Sequence, residues 1–491
     1  MTCAFQLICS FLFLVPIHAN DFADFGPDAA QSRFEFRALV DSKVENEADV
    51  PSVALKDIVV IVRSQHNRYH VKKAKAMRDD LTQQAEAMGE KDSLELKMMH
   101  EDWAPLGAWT IVPIINGGFI ALLLVFYFQL YFSLAEDYGD NKRWIFFCEE
   151  ETIINLFGLV QVLSKHDARK ELFIGHAIQD QEPAIIHYFD FSWFSFPDFA
   201  AGWALSVPLL NRQVRFKVFF FYEKKTNKAV AMFIRYAGRG TLLTDVPELC
   251  TSDPRDQHDC VTSVKGGGPE CGDLSLDQIF FAVKTTKKYH KSRVPVVQKT
   301  VGQYAKHIVY YSETKDSSIP TEDIGVPNTE SGHCAKLQAI IHKSATDPRA
   351  ADKLWLVVID DDTIMSVPRL QKLLACYDPK EVTLLGERYG YELTGEYGYD
   401  YITGGGGMIL SRAGIDALLK SNCNCWEPDS PDDMWLGNCF RRLGIPLTHS
   451  PAFHQAKPNE YVPSLLAHQT PISFHKHNDL DPLTVYKDYL S

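Results

Sequence analysis

Short, continuously apolar runs alternate with longer amphipathic stretches along this chain. Ile58–Val62 and Ile279–Val283 are apolar at every position, and "HIVYYS" (307–312) and "LWLVVI" (354–359) are nearly so. Runs that are apolar on both faces predict strands of a parallel sheet covered by helices on each side. Polar segments and helical stretches such as "PVVQKTVGQYAKH" follow the strands. Strand and helix in alternation predict an open α/β sheet, with ligands beyond the carboxyl ends of its strands. Two further apolar stretches break this rhythm. Residues 1–20 have the apolar core and short polar end of a secretory signal, with residues 21–50 a linker. Trp103 to Ala135 carries no charge and is long enough to span a bilayer. A span would divide the first half between two compartments. The stretch is therefore read as buried core, or as translated intron sequence near 117–135, in preference to a span.

The pattern also repeats. "WIFFCEEET" (144–152) and "WLVVIDDDT" (355–363) share one layout: Trp, an apolar run, three acids, Thr. "LFIG" ends at Gly175 and "TLLG" at Gly386, so Thr152–Gly175 and Thr363–Gly386 are equal separations. "DIVVIVRSQHNRYH" (57–70) parallels "DQIFFAVKTTKKYH" (277–290), and "FAAGWALS" parallels "ITGGGGMILS". Matched blocks in one order predict two tandem copies of one fold. The first spans 51–245 and the second 276–491, joined by a Cys- and Gly-containing linker at 246–275. The first copy has no later "PDD" and no "FH" block, so it is expected to be catalytically silent, and the second catalytic.

Composition adds two constraints. The net charge of −13 comes with no basic run that would track a phosphate backbone, so nucleic acid is excluded as a partner. Eleven cysteines in a secretory chain predict disulfides. Their pairing is not readable from spacing, but Cys148, inside an apolar strand, is expected to be free and buried. A zinc site at Cys423 and Cys425 is the rival reading, without the paired CxxC that zinc favours.

Asp360, Asp361 and Asp362 stand at the end of the "LWLVVI" strand, where a ligand is expected. Adjacent carboxylates repel one another unless a cation joins them, and hard oxygen ligands favour Mg²⁺ or Mn²⁺, which also grip diphosphate. By itself such a triplet reads equally well as a solvated acidic turn.

The surroundings decide between these readings. "FFAVKTTKKYHKSRVPVVQKT", "VPNTESGHCAK", "WLVVIDDDT", "LLGERYGY", "YITGGGGMILS", "PDDMWLG", "THSPAFHQAKP" and "PISFHKH" cover residues 277–491 almost throughout. Together they resemble the fringe-like inverting β-1,3-glycosyltransferases of GT-A fold, above all the members that extend O-linked fucose on thrombospondin type 1 repeats. The resemblance implies a UDP-sugar donor, UDP-glucose, with Mn²⁺ or Mg²⁺ as cofactor. It further implies O-fucosylated thrombospondin-repeat proteins as acceptors and the lumen of the endoplasmic reticulum as the compartment, with the Golgi or a membrane-anchored form as the alternative. The chain ends "KDYLS" where family members carry a KDEL-like signal.

The residue roles follow from the same resemblance. Asp362, Asp361 and His454 of "FHQA" would ligate the metal, although a lone histidine there would read as core. Asp360 would contact ribose or metal-bound water. Asp432 is the first choice for the base and Asp433 the second. Thr285, Lys287, Arg293 and Lys336 would line the nucleotide pocket. Glu387, Arg388, Gly404, Gly405, Gly406 and Gly407 would line the sugar side, glycines allowing close backbone approach. "ERYGYELTGEYGYDY" reads as an acceptor-facing loop or a packed hairpin. Two alternatives remain open: UDP-galactose or UDP-N-acetylglucosamine as donor, and a non-enzymatic lumenal lectin or folding factor.

Overall fold

A computed structural model describes residues 52–103, 119–120, 130–131, 134–181, 195–214, 226–237, 240–252, 259–266, 268–269, 271–391 and 398–491. Pro51–Ser491 form one unit that holds two principal sheets. The first has six strands: β1 (Ile58–Arg63), β2 (Glu95–Met98), β3 (Trp144–Glu149), β5 (Phe173–Gly175), β6 (Trp203–Ser206) and β7 (Leu243–Asp245), in the order β2-β1-β3-β6-β5-β7. Two short strands, β4 (Thr152–Ile154) and β8 (Thr262–Val264), pair beside it.

The second principal sheet has seven strands: β9 (Ile279–Lys284), β10 (His307–Ser312), β11 (Thr321–Asp323), β12 (Trp355–Asp360), β14 (Leu384–Gly386), β15 (Met408–Ser411) and β16 (Thr448–His449). Their order is β11-β10-β9-β12-β15-β14-β16. Here too a short pair lies alongside, β13 (Thr363–Met365) with β17 (Ser473–His475). Apart from the additional edge strand β11, the two sheets share strand order and direction. The opening strands of each run parallel, in register Ile58↔Trp144 and Ile279↔Trp355. They are buried at every position of β1 and β9, as runs apolar on both faces require.

The sheets are mixed rather than parallel throughout. β6 and β15, which follow the glycine-bearing turns, run antiparallel to both neighbours. Their sequences, apolar up to a final buried serine, encode burial on two faces but not direction. Trp144 and Trp355 begin equivalent strands and are fully buried.

Among the described residues, four disulfides join Cys250–Cys260, Cys271–Cys376, Cys334–Cys425 and Cys423–Cys439, and Cys148 is free and buried. Cys423 and Cys425 are thus both consumed by disulfides, which removes the zinc reading. Of the uncharged stretch 103–135, the described part includes a two-stranded pair, Phe119–Ile120 with Leu130–Tyr131, and the rest of its apolar core lies outside the described residues. No helix among the described residues is long and apolar enough to cross a membrane. The tyrosine-rich segment forms a hairpin, Arg388–Tyr391 against Tyr399–Ile402, with Tyr389 and Tyr401 buried; its tip, 392–397, lies outside the described residues.

Candidate active site

The register of β9 against β12 places Lys284 beside Asp360 at the carboxyl end of the sheet. The Lys284 ammonium lies 2.8 Å from Asp360 Oδ1 and also pairs with Asp432. Burial disfavours its charge, but the two carboxylates outweigh that and hold it protonated. Nothing in the sequence reading singled out Lys284; the available signal was a cation ending an otherwise apolar strand.

The three aspartates diverge in their partners. Asp361 accepts from Thr285 Oγ1 at 2.7 Å and from Arg293 Nη1 at 3.0 Å. Burial pushes its carboxyl up to about 6. Asp362 lies 2.9 Å from Arg293 Nη1 and 3.0 Å from His475 Nε2. Burial alone would raise it, but His475 and Arg293 hold it below the usual carboxylate range. Arg293 also stacks on the Tyr289 ring, 3.7 Å from its centroid.

Asp360, Asp362 and His475 converge, with one ligand atom of each within 4.8 Å of the others. His475 Nδ1 is 2.9 Å from the Gln455 carbonyl, so Nδ1–H donates there and Nε2 faces the acids. A backbone carbonyl on the far nitrogen is the usual means of orienting a metal-binding imidazole. Two carboxylates and one imidazole suit Mn²⁺ or Mg²⁺, so this donor set fits the expected ion.

The expected ligand set needs two corrections. His454 is fully buried with both ring nitrogens engaged, Nδ1 with the Ser473 carbonyl at 3.1 Å and Nε2 with Gln469 Oε1 at 3.0 Å. It stacks on Phe474 and is not among the converging ligand atoms of Asp360, Asp362 and His475. Asp361 is turned toward Thr285 and Arg293, and Asp360 takes its place in the cluster. His475 arrives because β17 pairs antiparallel with β13, the strand that starts directly after the acids, which puts His475 opposite Thr363.

The glycine turn closes one side. A Cβ on Gly405 would sit 2.3 Å from His475 Nδ1, so the ring requires glycine there. Gly407 has φ +103°, a backbone conformation that favours glycine. Gly406 N–H donates to Gln455 Oε1 at 3.0 Å. Gly404 N–H donates to Asp433 Oδ2 at 3.2 Å.

Asp432 and Asp433 open the helix Asp432–Arg442. Asp432 is buried and bound to Lys284. Asp433 is half-buried, and burial together with the Asp432 charge pushes it up to about 7. A carboxylate in that range suits a general base at neutral pH better than one locked in an ion pair. Of the two expected bases, Asp432 is thus held by Lys284, while Asp433 is bound by the backbone N–H groups of Gly404 and Met434.

Among the other expected residues, Lys336 is buried, with Nζ donating to the Thr285 carbonyl at 2.9 Å and to Asn328 Oδ1 at 2.8 Å. Lys287 is exposed and its backbone N–H donates to Glu313, so it is not drawn into the cluster. Glu387 accepts from Gln455 N–H at 2.6 Å and from the Tyr461 hydroxyl at 3.2 Å, while Arg388 pairs with Asp400. Both are buried and form the wall behind the turn.

The first sheet carries the same strand-end layout with a different outcome. Arg63 faces Glu149 at 3.0 Å, as Lys284 faces Asp360. Lys73 pairs with Glu151 and lies over the Tyr69 ring, as Arg293 does with Asp362 and Tyr289. Glu150 pairs with His70. Opposite Thr152, where the second sheet has His475, stands Val264. Every acid of this triplet is thus matched by a cation or imidazole of the chain, and among the described residues Val264 takes the place that His475 has in the second sheet.

These features agree with the comparisons to known proteins. The sequence model of the Fringe-like family matches residues 274–489. A β-1,3-glucosyltransferase of Mus musculus is 44% identical over 453 residues, 89% of this chain and 87% of that protein. The Homo sapiens β-1,3-glucosyltransferase is 42% identical over 479 residues, 95% and 91% of the two chains. The β-1,3-N-acetylglucosaminyltransferase manic fringe of Danio rerio is 29% identical over 225 residues, 41% of this chain and 62% of that one. With its strand-end aspartates and a facing imidazole, the chain belongs to the β-1,3-glucosyltransferase family and is a hexosyltransferase that forms β-1,3 linkages.

Proposed function

We propose that the second sheet transfers glucose from UDP-glucose, with inversion, onto O-linked fucose of thrombospondin type 1 repeats in the lumen of the endoplasmic reticulum. The observation that carries this reading is the cluster Asp360–Asp362–His475 lying across the glycine turn from Asp433. The names of the mouse and human relatives support glucose as the donor sugar. The fucosylated acceptor and the lumen rest on the sequence resemblance, the leader-like residues 1–20 and the disulfides.

Asp433 takes the proton of the attacking hydroxyl. The hydroxyl oxygen forms its bond to the anomeric carbon from the face opposite UDP. The bond from that carbon to the β-phosphate oxygen breaks, and UDP leaves with the electron pair. Asp360, Asp362 and His475 would hold Mn²⁺ or Mg²⁺, which when bound supplies positive charge to the departing diphosphate. Arg293 and Lys284 neutralise the same acids and keep them aligned in its absence. Thr285 and Lys336 border the nucleotide side, with Lys287 at its exposed rim. Gly404–Gly407 give the sugar close access to the backbone, and Glu387 and Arg388 stiffen that wall from behind.

The matched sheets are read as a duplication, with the first copy silent because Val264 replaces the metal-facing histidine. The test of the function is transfer to an O-fucosylated thrombospondin repeat with Mn²⁺ and each of three donors. A mass gain of one hexose with UDP-glucose alone is expected. Transfer from UDP-galactose or UDP-N-acetylglucosamine instead would overturn the donor assignment.

A further inference from the structure

In the second sheet, the segment after β9 supplies Thr285 and Arg293, which face the acids, and Tyr289, whose ring lies under Arg293. In the first sheet, part of the equivalent segment after β1 turns to another partner, the second half of the same chain. The Gln65 side chain makes two bonds with one residue there: His449 N–H donates to Gln65 Oε1 at 2.7 Å, and Gln65 Nε2 donates to the His449 carbonyl at 3.0 Å. Asn67 Nδ2 donates to Thr448 Oγ1 at 3.2 Å while its Oδ1 caps the following helix. His70 Nε2 lies 2.8 Å from the Tyr377 hydroxyl, and the Tyr69 ring meets Tyr377 edge-on.

The bonds of His70 have a defined direction. Burial, followed by the nearby Lys73 charge, keeps its ring neutral. Glu150 faces Nδ1, which therefore carries the proton, and Nε2 accepts from Tyr377 O–H. The middle acid of the silent triplet thereby orients a histidine that grips the other half.

The gripped strand lies behind the sugar wall. His449 pairs with Gly386 in the β14–β16 ladder, and its Nδ1 accepts from Arg388 N–H at 3.1 Å. Glu387 between them holds Gln455 N–H, and Gln455 Oε1 holds Gly406 N–H at 3.0 Å. A contiguous line of hydrogen bonds thus runs from Gln65 in the first half to the glycine turn in the second.

We infer that the silent first half acts as a clamp on β16, and that Gln65 is a positioning residue for the sugar-binding wall of the second half. This rests on the donor reading given above. It differs from a general stabilising role because the line ends at the sugar side, whereas Thr285, Arg293 and Lys336 are held from β9 and β12. Losing Gln65 therefore weakens the grip on the sugar and leaves the grip on the nucleotide.

The test uses the full chain, Mn²⁺ and calorimetric titration with UDP-glucose and, separately, UDP. For Gln65→Ala, the UDP-glucose Kd is expected to rise about tenfold with the UDP Kd within about threefold, the scale of two lost hydrogen bonds. Gln65→Glu keeps the acceptor for His449 N–H and loses the donor, so it should fall between wild type and Gln65→Ala. Thr448→Val, which cuts the neighbouring bond from the other side, should give the same selective loss with smaller amplitude and serves if Gln65→Ala does not fold. Unchanged Kd values, or equal losses for UDP-glucose and UDP, would overturn the inference, the latter by showing only a loosened fold. Because no acceptor is present, failure to transfer to fucose leaves the result readable. If another UDP-hexose is the donor, the same ratio is read with it. A wild type that binds no UDP-hexose would overturn the donor reading and this inference together.

Discussion

Asp433, the proposed base, gives the sharpest pH prediction. Burial and the adjacent Asp432 charge push its carboxyl up to about 7, while Gly404 N–H and Met434 N–H bond to it. A base works only when deprotonated. Below its pKa, kcat/KM should therefore fall tenfold per pH unit, to about one hundredth of the plateau at pH 5, and level off above pH 7. Asp433→Asn keeps the shape and removes the proton acceptor, which should lower kcat/KM by about 10²–10⁴-fold and abolish that limb. Asp432→Asn removes a charge that raises Asp433 and frees Lys284, so the inflection should move to lower pH. The assay is UDP release at saturating Mn²⁺ across pH 5–9 for the three proteins, each checked for folding. Near wild-type activity in Asp433→Asn, with loss only in Asp432→Asn, would refute the assignment and restore Asp432 as the base.

The two histidines should separate cleanly. His475→Ala is expected to weaken Mn²⁺ binding at least tenfold with little change in melting temperature. His454→Ala should leave Mn²⁺ binding within about threefold but cost about 3 kcal/mol in denaturant unfolding, because it deletes a buried ring stacked on Phe474. Gly405→Ala places a methyl in the His475 ring and should mimic His475→Ala in a Mn²⁺ titration. Replacing Cys271 and Cys376 by serine opens a loop with a separation of 105 residues, and should cost roughly 4 kcal/mol in thermal unfolding on the chain-entropy account.

Much of this was legible before any coordinates. The apolar runs Ile58–Val62 and Ile279–Val283 announced buried parallel strands, and the repeated Trp-to-Thr block announced two sheets of one design. The acids at the end of β12 stood where a ligand was expected. The failures share a cause, which is pairing between distant segments. "FHQA" and "SFHKH" both offer a histidine after phenylalanine, and only the pairing of β17 with β13 selects His475 over His454. Lys284 reads locally as the polar end of a strand, and its value lies in register with Asp360 and in contact with Asp432. The proposed preference for Asp433 over Asp432 as base likewise rests on a distant contact, the pairing of Lys284 with Asp432. The direction of β15 was hidden because an apolar strand buried on two faces reads the same either way.

The central claim is that the aspartate sheet, and not the glutamate sheet, carries the chemistry. Asp362 and Glu151 occupy equivalent positions immediately before Thr363 and Thr152. The most direct measurement is mass spectrometry of an O-fucosylated thrombospondin repeat after incubation with UDP-glucose, Mn²⁺ and wild type, Asp362→Asn or Glu151→Gln. One added hexose from wild type and Glu151→Gln, and none from folded Asp362→Asn, is the expected result. Transfer by Asp362→Asn together with its loss in folded Glu151→Gln would contradict the account.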